Sequence, residues 1–311
     1  MRRSGRGIAT ILYPTGMSGG GDPSQAIVKM KPDGSVDLLI GSVDIGQGVK
    51  TVAAQICAEE LGVPLEKVTV YNGDTDTCPL CTGTFASRVT HMTGNAIIKA
   101  CHELKSYLFG IAAEQMGVMP NALVLKEGKV EDPKSGKSLD MGYLAVMANW
   151  VLGGAPMGRG SYMRNGTKPD PETGACDPFA TLAYATVVAD VEVDTDTGLV
   201  EVKKFVSAYD VGKAVNPLLL EGQIDGGTMM GLGMALMEDL WPFYPDPSFI
   251  PGSFTDYVIP TVADMPEMKC EVLEYPSEYG PYGVKGIGEM TANAQSPAIV
   301  NAIYDAIGVW Y

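Results

Sequence analysis

Three short stretches of the chain set chemically capable side chains among glycines. "GVKGIGEM" at 283–290 ends on one carboxylate, Glu289, while "GSVDIGQG" at 41–48 and "EGQIDGGTMMGLG" at 221–233 each carry a side-chain amide, Gln47 and Gln223. A carboxylate acts as a general base when its pKa lies near the working pH. An amide offers a donor and an acceptor together, enough to orient a polar heterocycle or an oxo group. Glycine lets the backbone come close to a ligand, and the N–H groups at a helix start favour anions such as phosphate. Each stretch reads as a turn leading into a helix. Taken singly, each is equally a tight turn with packing glycines, and Glu289 a first-turn acid that complements a helix dipole. None follows the dinucleotide pattern after a strand or the G-x-x-x-x-G-K-[ST] pattern, so sites for NAD or ATP are unsupported.

The cysteines offer a second kind of chemistry. "CPLC" at 78–81 has the spacing of a metal or redox pair, and His91 follows ten residues later. A zinc site needs three or four ligands, yet no second Cys pair is present and the other histidine, His102, falls in a helical pattern. Cys78 and Cys81 therefore read as two loop thiols. With Cys57, Cys101, Cys176 and Cys270 they make six in a long chain whose N-terminal apolar run is short and broken, which predicts reduced cytoplasmic thiols. Asn165 in "NGT" is then a glycosylation sequon in chemistry only.

The elements that must position these groups follow from periodicity. "AIVKMKPDGSVDLLIGS" alternates about a Pro-Asp-Gly turn, and "VKTVAAQICAEELG" has helical spacing that stops at Gly62, so residues 26–62 read as hairpin, loop and helix. A strand at "KVTVYNGD", a loop at 73–88, a helix from about Thr90 to Gln115 and a hairpin at "LVLKEGKVEDP" follow. From 153 to 178 the chain is rich in Gly, Pro and Asn with no period, the mark of an exposed connection. Two alternating runs then meet at Asp-Thr-Gly and end in Asp210-Val211-Gly212, as the first hairpin ends in Asp44-Ile45-Gly46. This is a weak internal repeat. Helices are expected over Pro217–Leu240 and Asn293–Ile307, with the aromatic, Pro-rich "WPFYPDPSFIPGSFTDYVIP" between them extended or looped. The order gives an α+β fold of two lobes: 1–152, a connection at 153–178, and 179–311.

Composition narrows the partners. Hydrophobic residues at 46% and charged residues at 19% describe a packed globular chain. A net charge of −15 without a basic cluster would repel a phosphate backbone, which excludes nucleic acid. No run approaches the roughly 20 apolar residues of a membrane span.

Taken in order, G-x-x-D-I-G-Q-G, the loop "FASRVT" before a helix, E-G-Q-x-D-G-G-x-x-x-G-L-G, and G-V-K-G-I-G-E before an Asn-Ala-x-x-P-A-I helix resemble the molybdopterin-binding large subunit of the xanthine dehydrogenase and aldehyde oxidase family of molybdenum hydroxylases. The resemblance covers nearly the whole chain, but only the second half of that subunit. Within the family the likeness is to the medium molybdopterin subunit of nicotinate dehydrogenases, whose large subunit is divided between two chains.

The resemblance implies that Glu289 is the catalytic base beside molybdenum, set between Gly286 and Gly288 and the following helix. It implies that Gln47, Gly46, Gly48 and Gln223 hold the cofactor. Phe85, Ala86, Ser87 and Arg88 would wrap the pterin and its phosphate, with Phe85, where the family commonly has a small residue, and Tyr13 at the substrate pocket. It further implies molybdopterin, in the cytosine dinucleotide form, with a terminal sulfido or selenido ligand on molybdenum. A larger molybdopterin subunit, an iron–sulfur subunit with [2Fe–2S] clusters and an FAD subunit would be partners, since the six cysteines lack the spacing of a [2Fe–2S] site. The reaction expected is hydroxylation of an N-heteroaromatic with water as oxygen source, nicotinate to 6-hydroxynicotinate first. A xanthine, purine or aldehyde dehydrogenase subunit, a noncatalytic cofactor scaffold, and a thiol or metal protein acting through Cys78 and Cys81 are the alternatives.

Overall fold

The computed structural model describes residues 1–18, 21–164, 166–179, 181–239 and 252–310. Asn165 and most of the aromatic, Pro-rich stretch lie outside them. The fold is α+β and divides into two compact units, one of residues 15–181 with 277–284, the other of 1–14, 182–276 and 285–311.

The chain opens with β1 (Arg2–Thr15). It then enters the first of the two units through the antiparallel hairpin β2 (Ser24–Met30) and β3 (Val36–Ile40), registered Ala26 to Ile40 and Met30 to Val36. Alternation does its expected work here, since Ala26, Val28, Met30, Val36, Leu38 and Ile40 are all buried on one face. α1 (Val49–Leu61) follows and stops at Gly62, whose φ of 60° lets its N–H close on the Ala58 and Glu59 carbonyls. This crossover returns the chain parallel to β3 as β4 (Val68–Asn72), and α2 (Val89–Met116) packs behind the sheet. A small sheet of β5 (Val124–Lys126), β6 (Lys129–Glu131) and β7 (Ser138–Asp140) leads into α3 (Met141–Val146), capped by the Asp140 carboxylate.

Where the sequence predicted an exposed connection, the structure has β8 (Met157–Tyr162), antiparallel to β2 at the edge of the sheet β4-β3-β2-β8. The inward positions of β8 are Gly158 and Gly160, so no apolar alternation announced it. A Cβ on either would run into the carbonyl oxygens of Ala100 and Ala96 in α2. The glycines are the buried face, and they let a helix lie directly on the strand.

The other unit repeats this plan. β9 (Thr181–Asp194) and β10 (Val200–Asp210) form the hairpin, α4 (Pro217–Leu236) crosses over, and β11 (Glu267–Leu273) returns parallel to β10. α5 (Met290–Asn293) and α6 (Gln295–Ile307) follow; α6 is the helix expected over Asn293–Ile307, and α5 is a short helix ahead of it. The sheet order is β1-β9-β10-β11. Val187, Ala189, Val191, Phe205 and Tyr209 pack with Ala298, Ile299, Ala302 and Ile303 in its core. At its edge β1 plays the part of β8, with Gly5 and Gly7 lying under Ala302 and Ala298 of α6.

Each unit is thus a hairpin, an Asp-[Ile/Val]-Gly turn, a helix, a parallel strand, a second helix and an edge strand containing Gly-Arg-Gly. The edge strand is exchanged: β1 precedes β2 in the chain but pairs in the sheet of β9, and β8 precedes β9 but pairs with β2. A division of the chain at 152 and 179 differs from the units for this reason.

Candidate functional site

In the unit built on 15–181, two loops rise from neighbouring strand ends and meet. The turn 41–48 leaves β3, and Asp44 Oδ1 accepts the N–H groups of Gly46 at 2.9 Å and Gly48 at 3.2 Å at the start of α1. Burial pulls the Asp44 carboxyl up, but these backbone donors outweigh it and hold the group below the usual carboxylate range. The anion expected at this helix start is therefore the protein's own. Gln47 turns onto its loop, accepting the Ile45 N–H at 2.7 Å and donating to the Val43 carbonyl at 3.2 Å. Gly46, at φ 112°, has open space where a side chain would stand.

The second loop, 83–88, joins the first where Thr84 Oγ1 donates to the same Val43 carbonyl at 2.7 Å. Ala86 and Ser87 both sit at φ 49°, a rare pair of non-glycine residues in the left-handed region. Strain of this kind, about 1–3 kcal/mol per residue, gathers at ligand clamps. The turn is held by Gly16 N–H donating to Ala86 O at 2.9 Å and by Arg88. The Arg88 side chain is fully buried, donating to Asp22 Oδ2 at 3.2 Å, Ser24 Oγ at 2.8 Å and Gly83 O at 2.9 Å. It serves the loop as an internal post. Phe85 stays 37% exposed with its ring 5.7 Å from the guanidinium carbon.

In the other unit, Glu289 is half-buried immediately before α5. The turn that carries it is fixed from three sides. Gln223 Nε2 lies 3.5 Å from the Gly288 carbonyl, which also accepts Thr291 Oγ1 at 2.8 Å. Lys285 forms an ion pair with Asp210, both nearly buried, and donates its N–H to Val211 O at 3.0 Å. The Asp-Val-Gly turn after β10 thereby anchors the start of the Glu289 turn. Sequence reasoning singled out that turn as a repeat without seeing this use. Gly286 is buried in the turn, and Tyr13 on β1 is half-buried against the sheet core.

One expectation is corrected. The stretch 221–233 does not form a turn leading into a helix; it lies within α4. Its glycines are helix-packing positions: a Cβ on Gly227 would strike Thr291, and one on Gly231 would meet Gln295 and the Ala292 carbonyl. They bring α4 against α5 and so bring Gln223 to the Glu289 turn. Gln295, missed in the sequence, is fully buried and donates to Tyr209 Oη at 2.7 Å and Thr228 Oγ1 at 3.2 Å. Its placement one turn below an apolar helix face gave no signal.

His91 is buried, and its pKa is lowered to about 4 by burial and by the Arg164 and Arg88 charges. His102 pairs instead with Glu60 at 3.1 Å. Among the described residues no group of three or more His, Cys, Asp or Glu could hold a metal ion. The strained 83–88 clamp and the open face of Gly46 fit a group that brings its own metal ligands and is held through turns.

The profile of the family described as the molybdopterin cofactor-binding domain matches residues 1–266. The chain is 31% identical over 308 residues to a probable hypoxanthine oxidase of Escherichia coli K12, covering 98% of this chain and 30% of that protein. It is 32% identical over 288 residues to the nicotine 6-hydroxylase large subunit of Paenarthrobacter nicotinovorans, covering 91% and 34%. The solved structure of quinoline 2-oxidoreductase from Pseudomonas putida 86 superposes with a TM-score of 0.86 at 26% identity, over 99% of this chain and 39% of that one. The chain thus spans about a third of the length of these relatives. Motifs, fold and profile agree: the chain belongs to the molybdopterin cofactor-binding family of the molybdenum hydroxylases.

Proposed function

We propose that this chain is the molybdopterin-binding portion of a multi-subunit molybdenum hydroxylase acting on an N-heteroaromatic ring, with nicotinate as the first substrate to test. The observation that carries the reading is Glu289, a half-buried carboxylate at a glycine-flanked turn braced by Gln223, Thr291 and the Lys285–Asp210 pair, in a chain matched by the cofactor-binding family over most of its length. Two of the similar proteins are named for nicotine and quinoline, which supports an aromatic nitrogen heterocycle. A purine is the second reading, favoured by the relative named as a probable hypoxanthine oxidase.

When bound, molybdopterin supplies the two-electron oxidation that accompanies insertion of a water-derived oxygen. Replacing C–H by C–OH releases two protons and two electrons, so a base must accept a proton, and Glu289 is that base through its carboxylate oxygens. Gln223 holds the carboxylate's turn through Gly288, and the Lys285–Asp210 pair fixes its entry. The 83–88 clamp, with Phe85 at its exposed edge, and the 41–48 turn with Gly46, Gln47 and Gly48 hold the pterin; Tyr13 contributes to the substrate pocket. The cofactor is in the cytosine dinucleotide form with a terminal sulfido or selenido ligand. A larger molybdopterin subunit completes the site, and iron–sulfur and FAD subunits receive the electrons in the cytoplasm.

The test is purification of the native complex, identification of its chains, and assay on nicotinate, hypoxanthine and an aldehyde alongside molybdenum and selenium analysis. Turnover of nicotinate with stoichiometric molybdenum is the expected result. A metal-free complex, or one turning over hypoxanthine alone, contradicts the reading.

A further inference from the structure

The two thiols of the "CPLC" stretch have no part in the proposed reaction, and they sit in unlike surroundings. Cys78 Sγ has the Thr77 hydroxyl at 3.9 Å. Cys81 Sγ lies 3.1 Å from Ser42 Oγ, 3.2 Å from Arg88 Nη1 and 3.5 Å from Ser24 Oγ, and it remains half-exposed. These partners cannot turn away. Ser42 is fully buried and also bonded to Thr93 Oγ1 at 2.6 Å, and Arg88 is fully buried among fixed acceptors. Asp22, 1% exposed, accepts from the guanidinium Nε through Oδ2 and from Nη2 through its backbone carbonyl; its buried Oδ1 has no partner. The carboxylate contact is therefore single rather than a fork, and Nη1 is left to the Gly83 carbonyl at 2.9 Å and to sulfur. The backbone fixes the sulfur as well: Ser24 and Cys81 pair in a β-bridge, and Gly41 lies so close to the Cys81 backbone that no side chain fits there.

A thiolate is the nucleophilic form of cysteine, and a guanidinium with hydroxyl donors stabilises that form over the thiol. Burial pushes the Cys81 thiol up, but the hydrogen bonds of Ser24, Ser42, the Gly83 backbone and Arg88 outweigh it and hold the group below the usual thiol range. We propose that Cys81 is a reactive thiolate and a modification site for hydrogen peroxide and soft electrophiles, held reactive by Arg88, Ser42 and Ser24. With peroxide, the thiolate attacks one oxygen, an S–O bond forms as the O–O bond breaks, and hydroxide leaves. Sulfur loses two electrons to give a sulfenic acid, and the peroxide is reduced to water after protonation. Cys78, three residues away in the same loop, is the internal control.

The test uses the full chain, reduced and folded, treated with limiting iodoacetamide over a pH series. The fragmented peptide Val68–Arg88, which contains both cysteines, is read by mass spectrometry. Cys81 is expected to alkylate about tenfold faster than Cys78 below neutral pH, and the advantage to vanish in guanidinium chloride. Ser42→Ala, checked for folding by circular dichroism, should slow Cys81 several-fold at low pH, and peroxide followed by dimedone should tag Cys81. Cys78 reacting as fast as Cys81 in the folded chain overturns the proposal, as does an unchanged Cys81 rate in folded Ser42→Ala. If that variant does not fold, the ratio of the two thiols in native and unfolded chain decides alone.

Discussion

Arg88 shows how a residue's type can be read correctly and its direction not. Its place in "FASRVT" marks a loop expected to wrap the pterin through backbone N–H groups and Ser87 and says nothing of where the guanidinium goes; that group points inward to Asp22, Ser24 and Cys81 and is fully buried. Nothing in the local sequence ties Arg88 to Asp22, 66 residues away. The Gln47 amide is bonded within its own turn, so its part in the proposed pterin site is to fix that turn. The turn that carries Glu289, by contrast, was legible as a glycine-flanked turn before a helix, because its glycines and the helix that follows are all local. Removing one partner of a buried ion pair strands the other charge, which costs about 3–5 kcal/mol. Arg88→Met is therefore expected to lower the urea midpoint by the equivalent of about 3–5 kcal/mol, and Asp22→Asn by less, because the guanidinium keeps its Gly83 and Ser24 acceptors.

At the scale of elements, the hairpins, α1, α2 and the crossover strands were legible because each has one buried face and therefore a clean period. Edge strands whose inward residues are glycine have no such signature. β8 was hidden for this reason, and the "GRG" shared by residues 5–7 and 158–160 was the available clue. Gly158→Ala sets a methyl against the α2 backbone, which cannot move aside as a flexible side chain could. A loss of about 1–3 kcal/mol is expected from denaturant unfolding, and Gly231→Ala should cost a similar amount by forcing α4 from α5. A second element-scale prediction concerns acid. Glu60 on α1 accepts Lys105 Nζ at 2.8 Å and Tyr282 Oη at 2.8 Å, where Tyr282 stands at φ 54° in the segment before the Glu289 turn. Burial raises the Glu60 carboxyl, but these two donors outweigh it and hold it below its ordinary 4.5. A group depressed by folding stabilises above its unfolded value and loses that contribution as pH falls through the folded one. Stability should therefore drop below pH 4.5 more steeply in the wild type than in Glu60→Gln, measured as urea midpoints across pH.

At the scale of the whole molecule, sequence reasoning reached the fold class and the family, while the exchange of β1 and β8 escaped it because strand pairing across more than 120 residues leaves no local mark. Several large apolar side chains stand at the surface. Leu218, Met230 and Met234 on α4 are 76%, 65% and 62% exposed, and Trp150 in the π-helical turn after α3 is 80% exposed. Exposed apolar groups of this size mark interaction surfaces. Native mass spectrometry of the complex purified from its host is expected to show this chain bound to a larger partner, and a monomer there would contradict the subunit reading.

The most direct measurement is turnover and molybdenum content of the purified complex carrying Glu289→Gln. The substitution keeps the size and shape of the side chain and one accepting oxygen while removing its capacity to accept a proton. The account expects molybdenum and pterin at wild-type stoichiometry with kcat reduced by about two to four orders of magnitude. Wild-type turnover in a folded, metal-replete variant would contradict it.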